Sequence, residues 1–92
     1  MSVYNIKDYS FKQADKLGVQ IRPSSNKKKK IDVFKNGQKL AEIGAIGYGD
    51  YPTYLESDKK LAKTKRAGYK ARMEKNRNIK GSAGYFADKL LW

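Results

Sequence analysis

The segment KIDVFKNGQKLAEIG, residues 30–44, places an Asn-Gly dipeptide between two runs of residues that favour β-structure. A two-residue type I′ turn needs a positive φ at both central positions, and Asn36 and Gly37 are residue types that accept this conformation well. The segment therefore predicts a β-hairpin with strands over about residues 30–35 and 38–44.

The register of this hairpin follows from counting outward from the turn. Val33 then lies opposite Leu40 and Ile31 opposite Glu42, so that Ile31, Val33 and Leu40 are expected to share one face. The other apolar residues of the hairpin fall on the opposite face: Phe34, Ala41 and Ile43.

Two short elements are expected before the hairpin. Apolar residues recur at helical spacing over residues 10–18, with Ser10 as the expected N-cap and Gly18 as a left-handed stop, which predicts a short N-terminal helix. Residues 19–22 alternate in polarity and predict a third short strand, which Pro23 confines to an edge of the sheet or ends.

The second half of the chain predicts a loop and two helices. Residues 44–55 are dense in glycine and tyrosine, which is typical of a loop, and their glycine spacing departs from the phosphate-binding patterns. Residues 58–77 predict a long basic helix capped by Ser57, and Ser82 is expected to cap a short C-terminal helix. These elements indicate an α+β fold, with one basic domain over residues 1–92.

The composition limits the functions that the chain can perform. Its 92 residues include 21 Lys or Arg and 9 Asp or Glu, a formal net charge of +12. So large a charge on a small body favours a polyanionic partner, although it also serves solubility alone. Cysteine and histidine are both absent, which removes thiol nucleophiles, histidine-based triads and the commonest zinc ligands. We therefore expect no enzyme activity, no cofactor and no metal.

The positive charge is concentrated in two places. Residues 27–30 are four consecutive lysines, a run expected to stay in solvent. On the predicted long helix, most of the basic residues fall within one sector of about 60°, a basic stripe. The stripe consists of Lys59, Lys63, Arg66, Lys70 and Arg77. The residues predicted to bind nucleic acid are these five together with Lys27, Lys28, Lys29, Lys30 and Arg72.

A row of backbone phosphates matches such a stripe, since Arg makes forked contacts with phosphate and Lys acts as a mobile point charge. No helix-turn-helix pattern, zinc-finger ligand set or aromatic ribonucleoprotein motif is present. The prediction is therefore backbone-directed, weakly sequence-specific binding of nucleic acid, with DNA preferred to RNA. A membrane surface is not expected, because the long helix lacks the broad apolar face that interfacial helices bury.

Two other functions stay open at this point. The chain could be a structural or interaction protein that docks on an acidic protein surface. It could also be a metal-dependent nuclease, because carboxylates suit magnesium. The candidate ligands for that metal, which follow no recognisable spacing, are Asp32, Glu42, Asp50 and Glu56.

Several segments of the chain resemble an uncharacterised family of short basic proteins from large double-stranded DNA viruses and phages. The closing segment GSAGYFADKLLW, residues 81–92, is the most specific of them. The others are residues 30–34, Asn36-Gly37, residues 47–54, Arg66, Tyr69, Arg72 and Arg77. The resemblance implies a viral role: genome binding, condensation or packaging, a minor virion component, or an inhibitor of a host factor.

The expected location is intracellular, in the host cytoplasm or nucleus, or inside the virion. The amino-terminal residues lack the apolar core of a signal peptide, so we do not expect secretion. No apolar run is long enough to span a bilayer.

Overall fold

The computed structural model describes residues 4–92; residues 1–3, which belong to the segment considered for a signal peptide, lie outside the described residues. Its three strands form one antiparallel sheet in the order β1-β2-β3. The predicted α+β fold, with a helix before the sheet and a helix near the end of the chain, is confirmed. In chain order the elements are α1 (Asp8–Leu17), β1 (Gln20–Pro23), β2 (Lys29–Lys35), β3 (Gln38–Ala45), α2 (Tyr51–Ser57), α3 (Lys59–Arg72) and α4 (Ala83–Leu91).

The predicted hairpin forms around the Asn-Gly turn. Asn36 and Gly37 have φ angles of 53° and 77°, the left-handed conformations that a type I′ turn needs. Lys35 pairs with Gln38 directly across the turn. β1 lies at one edge of the sheet and ends at Pro23, where proline is tolerated because its missing N–H is not needed by a further strand.

The register beyond the turn differs from the predicted one. A β-bulge follows the first pairs, so that Val33 pairs with Ala41 and Ile31 with Ile43. The prediction that Leu40 shares the face of Ile31 and Val33 is wrong, as is the placement of Ala41 and Ile43 on the opposite face. Leu40 is 41% exposed, whereas Ile43 is 1% exposed. One extra residue on β3 reverses which side chains face the core, because side chains alternate between the faces of a strand.

The hydrophobic core lies between the sheet and the two terminal helices. Ser10, predicted as the N-cap of α1, is instead buried within the helix, and its hydroxyl donates to the carbonyl of Leu90 at 2.6 Å. Lys7 is the N-cap of α1, and Gly18 ends the helix as predicted, with a φ of 71°. The buried apolar residues that form this core are Ala14, Val19, Ile21, Ile31, Val33, Ile43, Phe86, Leu90 and Leu91.

The segment predicted as a glycine- and tyrosine-rich loop contains the helix α2. Asp50 is its N-cap, and Oδ1 of Asp50 accepts a hydrogen bond from the Thr53 N–H at 2.9 Å. Pro52 lies in the first turn, where its missing N–H would have no helical partner in any case. A capping carboxylate followed by proline is therefore enough to begin a helix in this segment.

The long basic helix is shorter than predicted. α3 ends at Arg72, not near residue 77, and Asp58 caps it instead of Ser57. Beyond this end, Nε of Arg77 donates to the carbonyl of Lys70 at 3.3 Å. The side chain thereby satisfies a carbonyl of the last helical turn, which favours termination there.

The C-terminal helix α4 begins as predicted, with the Ser82 hydroxyl accepting from the Tyr85 N–H at 3.1 Å. Among residues 4–92, none of the helices combines the length and the apolar composition needed to cross a membrane.

Alanine substitutions at Leu40 and Ile43, whose burial depends on the bulge, test the register. We expect Ile43→Ala to lower the free energy of unfolding by about 2–5 kcal/mol, because it leaves a cavity in the core. Leu40→Ala removes a similar volume from a largely exposed site and should cost about 1 kcal/mol or less. Urea denaturation measures both. A larger loss of stability for Leu40→Ala than for Ile43→Ala would contradict the bulge and support the predicted register, in which Val33 lies opposite Leu40.

Candidate nucleic-acid interface

Lys30 and Asp50 form a buried ion pair between β2 and the start of α2. The Lys30 Nζ to Asp50 Oδ2 distance is 2.8 Å, and the two side chains are 5% and 1% exposed. The Lys30 ammonium also donates to the carbonyl of Tyr48, and the Tyr4 hydroxyl donates to Asp50 Oδ2 at 2.7 Å. The expectation that all four lysines stay in solvent is therefore wrong for Lys30, because its charge is matched inside the protein.

The protonation states at this pair follow from its contacts. Burial by itself would raise the pKa of the Asp50 carboxyl, but hydrogen bonds from Lys30, the Thr53 N–H and Tyr4 outweigh it and hold that pKa below its usual value. Burial and the neighbouring carboxylate raise the pKa of the Tyr4 hydroxyl. Asp50 is therefore charged and Tyr4 a neutral donor at neutral pH.

The rest of the lysine run is presented by an ordered turn between β1 and β2. Lys27 and Lys28 are exposed, and Lys29 is half-buried at the start of β2. Oδ1 of Asn26 accepts from the Lys28 N–H at 2.9 Å, and Nδ2 of Asn26 donates to Glu42 Oε1 at 3.0 Å. These bonds hold the backbone of the turn, so that two lysine side chains project into solvent from a defined position.

The four carboxylates considered as metal ligands do not converge. Asp32 and Glu42 lie opposite each other on β2 and β3 and share the ammonium of Lys39. Asp50 is occupied by its ion pair, and Glu56 pairs with a lysine at the start of α1. Within residues 4–92, no three acidic side chains come close enough together to hold a metal ion.

The predicted basic stripe of α3 is divided by its packing. Lys59 and Lys63, in the first half of the helix, are exposed, and neither makes an ion pair with any other described residue. Arg66 is half-buried, with its guanidinium 4.6 Å from the centroid of the Tyr51 ring on α2. The first half of the stripe faces solvent, while Arg66 packs against the neighbouring helix.

The remaining members of the stripe, Lys70 and Arg77, lie close to a buried carboxylate of α4. Asp88 is buried, and its Oδ1 accepts from the Lys70 ammonium at 2.7 Å. Its Oδ2 lies 3.9 Å from the Arg77 guanidinium and 3.7 Å from the Lys89 ammonium, without a hydrogen bond inside the described part of the chain. Lys70 thus neutralises a buried carboxylate, and the Arg77 guanidinium pairs with Glu74 at 2.7 Å, so the charges of Lys70 and Arg77 are less available to a partner than those of unpaired residues.

A different face of α3 borders a cleft of about 320 Å³. Lys65, Tyr69 and Arg72 are spaced at i, i+4 and i+7, which places them on one side of the helix. The spacing is present in the sequence, but the larger group of cations, the basic stripe, lies about 120° away on a helical wheel and was predicted as the binding face. Of the residues predicted to bind nucleic acid, only Lys30 and Arg72 line this cleft. Lys65 and the aromatic residues of the cleft wall were not predicted.

The wall of the cleft is aromatic. The rings of Tyr69 and Trp92 are stacked, with centroids 4.4 Å apart and an interplanar angle of 7°. Tyr54 lies 6.4 Å from Trp92, and the Lys65 ammonium lies 6.0 Å from the Tyr54 ring. Burial and the charge of Asp88 raise the pKa of the Tyr69 hydroxyl, which therefore stays neutral.

Tyr48 stands at the rim of this cleft and is 75% exposed. Its carbonyl accepts from the buried Lys30, and its N–H donates to the carbonyl of Ala45 at 3.4 Å. The next residue, Gly49, packs so closely on the Tyr54 ring that a Cβ there would overlap it. The backbone of Tyr48 is therefore held from both sides while its ring remains in solvent.

Removing the charge of Lys30 tests the structural role of the ion pair. We expect Lys30→Met to lower the free energy of unfolding by about 3–5 kcal/mol, because Asp50 is left buried without its counter-charge. Lys28→Met makes the same change on the exposed turn and should alter stability by less than about 0.5 kcal/mol. Equal losses in urea denaturation would contradict the pairing.

The lowered pKa of Asp50 also predicts an acid dependence of stability. A carboxylate whose pKa is lower in the folded than in the unfolded state contributes stability above its unfolded pKa of about 4, and this contribution is lost as the pH falls through the folded value. The free energy of unfolding should therefore decline in acid. The Lys30→Met/Asp50→Asn double variant, which removes both charges, should decline less steeply over the same pH range. Identical pH profiles from urea titrations would count against this assignment.

Residues 19–73 match the sequence profile of a family of unknown function, DUF5754. The matched segment contains the whole sheet, α2 and α3, together with Lys30, Asp50 and the cleft residues of α3, whereas α1 and α4 lie outside it. No curated protein and no solved structure matches the chain. The matched segment covers more than half of the chain, and the chain belongs to this family of unknown function, DUF5754.

Proposed function

We propose that this protein binds nucleic acid through the phosphate backbone, with weak sequence specificity. The observation that carries the proposal is a set of exposed cations on α3, none of which makes an ion pair with another residue in the part of the chain that the structure describes. We call this set the free cations. It consists of Lys59, Lys60, Lys63, Lys65 and Arg72.

The composition of α3 supports this proposal. The helix contains five lysines, two arginines and no acidic residue, so contacts within the helix cannot neutralise it. Among residues 4–92, Lys70 is the one cation of α3 that makes an ion pair, while Arg66 and Lys65 each lie over a tyrosine ring of α2. With a rise of about 1.5 Å per residue, the free cations extend over about 20 Å of the helix axis. They lie on two faces of the helix: Lys59 and Lys63 are on one, and the cations that border the cleft are on the other.

A second cationic group, Lys27 and Lys28, lies on a different element, the turn between β1 and β2. Ile46 donates its N–H to the carbonyl of Lys28 at 3.0 Å, so this turn and the segment leading to Tyr48 meet at the same end of the sheet. Two cationic groups on a small body give a polyanion more than one region to contact. This arrangement suits a long backbone better than a single small anion.

We propose DNA, not RNA, as the partner, in a viral setting of genome binding, condensation or packaging. Support for that setting comes from the resemblance of the closing segment to short basic proteins of large double-stranded DNA viruses and phages. Docking on an acidic protein surface is the alternative that the same cations allow, and a duplex-binding measurement separates the two.

The test is the salt dependence of binding to a labelled duplex of arbitrary sequence. We expect the Lys59→Gln/Lys63→Gln variant to weaken binding and to reduce the slope of log K against log salt concentration by about 2, because each substitution removes one interaction with a phosphate. Lys12→Gln/Lys16→Gln removes the same charge from exposed positions on α1 and should leave the slope nearly unchanged.

Three results would overturn the proposal. They are an absence of duplex or single-strand binding at low salt, an affinity that does not change with salt, and an equal effect of the α1 and α3 variants. The first of these would favour an acidic protein partner.

A further inference from the structure

We infer that the cleft beside Tyr48 receives one unpaired base of a single-stranded nucleic acid, with the adjoining phosphate held by Lys65 and Arg72. The inference rests on the proposed function and adds to it a preference for unpaired strands. The ligand that binds in the cleft is then both aromatic and anionic.

The aromatic side of the cleft begins with Tyr48. A ring that is 75% exposed contributes nothing to the core, and yet it stands beside a second aromatic surface formed by the Tyr69–Trp92 stack and Tyr54. Stacking on such rings is tolerant of sequence, because every base has a π-face. This tolerance agrees with the weak sequence specificity proposed above.

The position of Tyr48 is fixed before any ligand arrives. Its carbonyl is bound by Lys30, which is itself held by Asp50, and Asp50 caps α2. A stacking platform on an ordered backbone loses little conformational entropy on binding, which increases affinity. The buried ion pair therefore holds the ring where it can meet a base.

The charge of the cleft supplies the anionic side. Asp50 is the one acidic residue among those that line the cleft, and its charge is matched by Lys30. Lys65 and Arg72 are left without a counter-charge among the described residues. A guanidinium binds a phosphate with two parallel hydrogen bonds, and an ammonium adds a flexible point charge. The phosphate next to the bound base would meet both.

The size of the cleft fits a ligand of about one nucleotide. Its volume of about 320 Å³ is near the lower end of the range of about 300–1,000 Å³ for small-ligand sites, which suits a single nucleotide. A base within a duplex is paired and stacked on its neighbours and has to leave the helix before it can enter such a site. Lys65 and Arg72 also belong to the free cations, so the single-strand site in the cleft shares two residues with the proposed duplex site.

The single tryptophan of the chain, Trp92, lines the cleft, and its fluorescence therefore reports occupancy directly. We expect a single-stranded oligo-dT of about 12 nucleotides to quench this fluorescence and to bind more tightly than a blunt duplex of the same length. Thymidine monophosphate carries one base and one phosphate and reaches no cation outside the cleft, so it should bind more weakly still.

The decisive variant is Tyr48→Ala, which removes an exposed ring and leaves the bound carbonyl in place. It should weaken oligo-dT binding by roughly tenfold or more and leave the affinity for the duplex unchanged. Phe11→Ala is the matched control, because Phe11 is 46% exposed on α1, away from the cleft, and it should change neither affinity.

The outcomes separate the inference from the function on which it rests. If Tyr48→Ala binds oligo-dT as tightly as the parent while the duplex still binds, the inference is overturned and the proposed function stands. If neither oligo-dT nor the duplex binds at low salt, the proposed function fails as well. Binding of the mononucleotide as tightly as oligo-dT would assign the cleft to free nucleotides and overturn the inference for strands.

Discussion

The buried ion pair of Lys30 and Asp50 connects three parts of the molecule that are distant in sequence. Removing two charges from water is costly, and it is tolerated only where their remaining hydrogen-bonding positions are filled. The Tyr4 hydroxyl, the Thr53 N–H and the Tyr48 carbonyl fill them. The start of α2 and the segment that carries Tyr48 are therefore positioned relative to the sheet by one set of polar contacts. The loss of any of these contacts would therefore affect the positions of the cleft residues as well as the stability of the fold.

Asp88 is a second buried carboxylate, on α4. It pairs with Lys70 and lies 3.9 Å from the Arg77 guanidinium, and the Tyr69–Trp92 stack connects another face of α3 to the end of α4. The positive charge of this protein is therefore divided between two purposes. Some cations neutralise buried carboxylates and hold helices together, and others, mainly on α3 and the lysine turn, remain in solvent. Only the second group can account for the binding that we propose, so the total of 21 Lys and Arg residues overstates the number of cations that a partner would meet.

Much of the architecture could be predicted from local patterns. The Asn-Gly turn, the stop at Gly18 and the cap at Ser82 each depend on contacts within a few residues, and all three are present in the structure. The register of β3 could not be predicted by counting, because the bulge is favoured by bringing Ile43 into contact with a core to which other elements contribute. The candidate site was predicted in part: Lys59, Lys63 and Arg72 are exposed, whereas Lys65 was missed since its importance depends on what faces α3.

Composition and short-range chemistry determine that this chain is strongly basic, that it lacks histidine and cysteine, and that it builds a hairpin flanked by helices. The tertiary structure alone decides which of the cations are free. Lys30 and Lys28 are the same residue type in the same run, yet one is buried against Asp50 and the other projects from a turn. The difference arises because the partner carboxylate lies 20 residues away in sequence, and only folding brings the two charges within 2.8 Å of each other.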